Sequence, residues 1–272
     1  MKRFALNFLF AILSLQISSV FAQNQATSVS ADTSLKDTII PKKVLIVPFQ
    51  KKMYMSDMNR ELSKGDRHDI WAIISQFSSN SAEILKQQLA PRVYIPEILT
   101  VKDPDPKKDD DLKMIERSVA YKYTPVPVEA HADKGKRLFS LPKKKLTKEE
   151  ELAAYENAEK YMKAEVTNPK LLSYLKEKYN YDYIVFLNQF EIKNDYNTPD
   201  ATISGPSQRL IKLHYTVFAP SGQVICSNRV GNPLPMNETD HINIIKKYFA
   251  PLTAPIASCL PEGALVKQKI KK

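Results

Sequence analysis

Four histidines, two cysteines and 30 acidic side chains are the groups with which this chain could do chemistry. The histidines are His68, His131, His214 and His241. No two stand at i, i+3 or i+4 and there is no His-Glu-x-x-His, so no helix face is set up to hold zinc. Asp103, Asp105, Asp109, Asp110 and Asp111 crowd one stretch. They lack the loop glycine and closing bidentate Glu of a calcium loop, and nearby lysines neutralise them, so a solvated loop is expected. No Gly-x-Ser-x-Gly marks a nucleophile. Asp182, Glu191 and Asp195 lie around one strand-like stretch. Brought together, they could be the paired carboxylates of a hydrolase. Cys226 and Cys259 could pair in an oxidising compartment or pack as two small apolar side chains, and the sequence leaves both open. Six glycines against 18 prolines leave little material for phosphate-cradling loops. No catalytic, metal or cofactor residue is assigned.

One further group stands out by type. Met53, Tyr54, Met55 and Met58 are long apolar side chains in what reads as a loop. Outside a periodic element, such side chains either plug the core or offer an adaptable contact surface. They are the candidate partner-binding residues.

The elements that must position these groups follow from periodicity. Lys43 to Phe49 is a β-branched apolar run and reads as a buried strand. His68 to Leu89 carries Ile70, Ile74, Phe77, Ser81, Ile84 and Leu85 at helical spacing, with Asp66 as N-cap and Pro91 as the stop. Val93-Tyr94-Ile95 reads as a short strand. Residues 103–146 hold prolines and mixed charge without sustained period and read as an insertion, partly disordered or a loose hairpin through Val119 to Tyr123. Thr147 and Glu150 form a capping box for a helix to about Ala164, and Asn168-Pro169 opens another that ends at Asn180. Tyr183 to Ile192 is a strand with Ile184, Phe186, Phe190 and Ile192 on one face. In Leu210 to Phe218, alternation places Ile211, Leu213, Tyr215 and Val217 toward the core. Lys212, His214 and Thr216 then face water or the insertion, so replacing His214 is expected to cost little if that face is wet. Ala219-Pro220-Ser221-Gly222 turns the chain into a hairpin partner at Gln223 to Val230. Asp240 caps a last helix, which Pro251 and Pro255 are expected to cut short. The fold class is α+β, with one mixed β-sheet covered by helices and interrupted by the insertion.

The amino terminus is a targeting segment. Met1-Lys2-Arg3 is basic, Phe4 to Val20 is mostly apolar, and Val20 and Ala22 fit a small-residue cleavage rule. Residues 1–22 are therefore expected to be a cleaved signal peptide, 23–40 a disordered linker, 41–265 a single domain and 266–272 a basic tail. No cysteine follows the apolar stretch, which argues against lipidation. Loss of Lys2 and Arg3 lowers the formal charge from +10 to +8. Export argues against nucleic acid as a partner, and positive charge favours an anionic envelope component or an acidic protein face.

The lone Lys-Val-Leu-Ile-Val-Pro-Phe strand, the long helix, Tyr181-Asp182-Tyr183-Ile184-Val185-Phe186 after a helix, and the Ala-Pro-Ser-Gly hairpin have a familiar order. In these the chain resembles the envelope superfamily that includes the curli-secretion channel lipoprotein, the lipoprotein activators of penicillin-binding proteins and the TolB amino-terminal domain. The resemblance spans 43–93 and 171–250. The chain departs from those lipoproteins in having no lipidated cysteine and no pair of amphipathic membrane hairpins, so it implies no pore. Through Met53-Tyr54-Met55-Ser56-Asp57 the chain also resembles secreted Bacteroidota proteins without a known activity. The expected function is a secreted or periplasmic, non-enzymatic module that binds an envelope partner. The alternative is a hydrolase of envelope polymers working through its acidic residues.

Overall fold

The computed structural model describes residues 37–66, 69–99, 106–126, 159–196, 205–261 and 264–267. The leader 1–22, linker residues 23–36, His68, His131, insertion residues 127–146, the capping box at Thr147 and the tail residues 268–272 lie outside them.

The sheet grows from the run Lys42–Val47 (β2), whose Val44, Leu45, Ile46 and Val47 are all buried. A strand with no polar side has to be covered on both faces, and it is. β2 pairs in parallel with Val93–Ile98 (β4) on one side and with Tyr183–Asp195 (β7) on the other. β7 continues antiparallel to Gln208–Phe218 (β8), and β8 to Val224–Pro235 (β9). Tyr54–Ser56 (β3) adds to β7 in parallel beyond the end of β2. The result is a six-stranded mixed sheet in the order β4-β2-β7-β8-β9 with β3 alongside β7, and the class is α+β. Asp37–Ile40 (β1) pairs separately with Ala264–Lys267 (β10). The unit Asp37–Val266 holds this architecture; residues 1–36 and 267–272 form the other and, Lys267 apart, lie outside the described residues.

Helices cover one face. Ile70–Leu89 (α2) and His241–Cys259 (α5) pack on the sheet, preceded by the short helix Asn59–Asp66 (α1). Phe77, Phe190 and Phe249 meet at the centre with ring centroids 5.1–5.7 Å apart. Ile211, Leu213, Tyr215 and Val217 point into this core, as their alternation requires. The other face has a second core. Pro106–Ser118 (α3), Lys170–Tyr179 (α4) and the antiparallel pair Val119–Pro125 (β5) with Lys160–Val166 (β6) contribute Ile115, Val119, Ala164, Leu171 and Leu175 against Leu45, Ile184 and Phe186.

Several expectations are corrected. Asp66, expected as the N-cap, ends α1 instead, and Asp69 caps α2 by accepting from the Trp71 N–H. Linker residues 37–40 form β1. The insertion contributes a helix at 106–118, and Asp111 there is buried, receiving Tyr174 Oη at 2.9 Å, Lys178 Nζ at 2.6 Å and Tyr179 Oη. Those three donors tie α3 to α4. The helix expected to reach Ala164 gives way to β6 at Lys160, where Tyr161 and Ala164 are needed inside the sheet packing. Strand β7 does not keep one face. Its register with β8 shifts between Leu187 and Gln189, a bulge at Asn188 that reverses the phase. Val185 and Leu187 thus share the first core with Phe190 and Ile192, while Ile184 and Phe186 turn to the second. The last helix runs through both Pro251 and Pro255. Packing on α2 supports it there, with Gln88 Nε2 donating to the Ala250 carbonyl and Thr253 Oγ1 donating to Gln88 Oε1.

Candidate functional site

The four candidate contact residues do not form a loop surface. Met53 ends a short 3-10 turn at Lys51–Met53, and the next three residues are β3. Met58 is fully buried, which removes it from any contact surface. Met53 and Tyr54 pack against the first core. The Tyr54 ring lies 6.1 Å from Phe190 and 6.2 Å from Phe77, and its hydroxyl donates to Asn59. Burial, opposed by a hydrogen bond with Ser56, pushes the Tyr54 hydroxyl up to about 12. Only Met55 is exposed, at 40%. It sits where β3, β5 and β7 come together. Gln189 Nε2 reaches its sulfur at 3.0 Å and the hydroxyl of exposed Tyr123 at 3.1 Å, and that hydroxyl lies 3.8 Å from the same sulfur.

Beside this seam lies a polar lane that alternation alone did not reveal. The hairpin β5–β6 crosses the outer face of β7, β8 and β9. The outer edge of β6 presents backbone groups that β5 does not pair, and a buried edge must find partners. Side chains of the sheet supply them. Met162 N–H donates to His214 Nδ1 at 2.7 Å and Ala164 N–H to Thr216 Oγ1 at 3.1 Å. Asn188 Nδ2 donates to the Met162 carbonyl at 2.8 Å and to Thr216 Oγ1. Tyr161 and Ser227 share a hydroxyl–hydroxyl bond of 2.6 Å. The reading of His214 as a solvated residue is therefore overturned: it is 1% exposed and anchors the hairpin.

Charge continues along the lane. Since Nδ1 accepts a hydrogen bond, the neutral ring carries its proton on Nε2. Nε2 stands 3.7 Å from Glu191 Oε1, without a hydrogen-bond partner among the described residues. Burial lowers the His214 pKa to about 3, helped by the positive charges of Arg229, Lys212 and Lys193. These outweigh the nearby Glu191 carboxylate. Lys193 lies 3.7 Å from Glu191 Oε2. Lys212 and Arg229 both reach Glu159, which precedes β6.

The hydrolase alternative fares poorly on geometry. Asp182, Glu191 and Asp195 follow one extended strand, and four residues of strand separate Glu191 from Asp195 by about 13 Å. That backbone spacing is wider than the carboxyl separation of paired glycosidase acids. Asp182 is also committed, accepting the Lys43 N–H at 2.9 Å. Cys226 and Cys259, left open by the sequence, form a disulfide joining β9 to the end of α5. His241 is buried at the start of α5, 2.9 Å from Gln76. Among the described residues no helix is long and apolar enough to cross a membrane.

No family model matches the chain, and no curated protein matches it. Solved structures similar to it include two dodecamers of PelC from Paraburkholderia phytofirmans, in space groups C2 and P6. They are 9% and 11% identical over 82% of this chain and 93% of theirs, each with a TM-score of 0.31.

Proposed function

We propose that this chain is an exported module of the cell envelope that works by binding a partner rather than by catalysis. The observation that carries the reading is the seam of Met55 and Tyr123. Two exposed, adaptable side chains from separate elements are positioned there by buried Gln189. Met and Tyr of this kind are enriched where protein surfaces meet. The Cys226–Cys259 bridge and the amino-terminal basic–apolar–small pattern support export, since disulfides persist in oxidising compartments. The order of elements shared with the envelope superfamily supports the same compartment.

A photo-crosslinking residue at Tyr123 tests the binding surface, with one at exposed Trp71 on α2 as control. The expected result is a discrete adduct in envelope fractions from position 123 alone. Adducts from position 71 and none from 123 would overturn it. Mass spectrometry of the mature chain should find Gln23 at the amino terminus; an intact Met1 in envelope fractions would contradict export by cleavage.

A further inference from the structure

Lys212 and Arg229 are the least exposed cations of the lane, at 15% and 13% of their side-chain surface. They project from neighbouring strands on the same side of the sheet, where Lys212 pairs with Gly231 and His214 with Arg229. The glycine makes their approach possible. A Cβ at Gly231 would stand 3.4 Å from Lys212 Cγ and 3.7 Å from the Arg229 guanidinium, filling the floor between them. One carboxylate spans the two: Glu159 Oε1 lies 3.6 Å from Lys212 Nζ, and Oε2 meets Arg229.

Glu159 itself is 59% exposed. It is a mobile-length side chain at the rim, while the cations it joins are built into the sheet. The fit is also incomplete. Arg229 Nε has no hydrogen-bond partner among the described residues, and neither has His214 Nε2 in the same lane. An arginine fork grips a carboxylate best with two parallel donors, and here Glu159 meets only one arm. With Glu159 withdrawn, Glu191 is the remaining carboxylate beside Lys193 and Lys212 among the described residues.

We propose that Lys212, Arg229 and the floor at Gly231 form a cradle for an acidic side chain of a partner peptide, with Glu159 as its built-in occupant. The occupant in place is a glutamate of a polypeptide, so a Glu or Asp of another polypeptide is the ligand whose chemistry the cradle already accepts. Binding exchanges one carboxylate for another: Glu159 swings into water, and the incoming group takes both cations. The inference rests on the binding reading above and gives its partner a chemistry.

The test is titration calorimetry of the purified chain with a blocked (Gly-Glu)3 peptide, its (Gly-Gln)3 counterpart and an oligogalacturonate. Glu159→Gln changes an exposed side chain and removes the internal competitor. It should tighten acidic-peptide binding about five- to tenfold, with the Gln peptide silent. Arg229→Gln and Lys212→Gln should each weaken binding at least about tenfold, and circular dichroism identifies either variant that fails to fold. Raising salt should weaken binding in step. No binding of the acidic peptide to Glu159→Gln at millimolar concentration would overturn the proposal, as would binding of the uronate alone. A negative titration beside a positive crosslink at Tyr123 would remove the cradle and keep the binding surface. A negative crosslink beside a positive titration would do the reverse.

Discussion

Acid should loosen the hairpin β5–β6 from the sheet, and His214 sets the window. The Met162 N–H occupies Nδ1 of a buried neutral ring. A second proton would turn Nδ1 into a donor facing another donor, in a lane that already holds Lys193, Lys212 and Arg229 against Glu191 and Glu159. Burial first, and then the charges of Arg229, Lys212 and Lys193, pull the folded pKa down from 6.5 to about 3. The sign follows. In the unfolded chain the imidazole takes its proton near pH 6.5, while the folded chain refuses it until about pH 3. Stability is therefore full above pH 6.5 and falls as the pH drops between those values, by up to about 1.4 kcal/mol per unit. By pH 5 the loss is about 2 kcal/mol, and across the whole window it is roughly 5 kcal/mol.

Urea melts from pH 7.5 to 4.5 measure this directly. The wild-type midpoint should fall on acidification. In His214→Gln, an amide oxygen can accept the Met162 N–H and nothing titrates, so most of the slope between pH 6.5 and 5 should vanish. The carboxylate of Asp111 works in a separate window, because its depressed pKa withdraws stability only below about pH 4. An equal slope in the variant would refute the reasoning. A flat or rising wild-type profile would show that Glu191, at 3.7 Å, holds an imidazolium against burial and three cations.

Three further outcomes are expected. Leu213→Ala removes a side chain 1% exposed in the first core and should cost about 2–5 kcal/mol in a denaturant melt; a cost under about 1 kcal/mol would mean that the site collapses freely. Opening the Cys226–Cys259 bridge with the double Ser variant frees a loop closed across 33 positions and should lower stability by about 4 kcal/mol, whereas an unchanged melt would mean that the denatured chain is no freer. Asp111→Asn replaces a carboxylate held below its usual range, where burial raises the pKa but bonds from Lys178, Tyr179 and Tyr174 outweigh it. It should cost about 1–3 kcal/mol and speed hydrogen exchange in α3 before the central sheet; uniform exchange would refute a local clamp.

What was legible in the sequence had a period longer than the local exceptions to it. β2, α2 and the core side of β8 each repeat a pattern over six or more residues, and each stands where its pattern places it. β3 is three residues long, too short for alternation to register, and its pairing with Phe190 to Ile192 is decided 136 residues away. The bulge at Asn188 inserts one residue, which no local rule signals, yet it exchanges the faces of everything beyond it. The same limit hid the polar lane. Alternation correctly sets Lys212, His214 and Thr216 opposite the core, but it speaks only of faces and not of what covers them. The cover is β6, whose Met162 and Ala164 N–H groups need acceptors wherever they are buried. That need explains why a histidine and a threonine stand on an outward face flanked by lysine and arginine. His214 and Thr216 satisfy the strand above them, while Lys212 and Arg229, one pair further along the same face or directly across from His214, reach the rim where Glu159 holds them. The lane is thus structural at its covered end and chargeable at its open end, and acid at His214 and an acidic ligand at Arg229 should both act on the seating of β6.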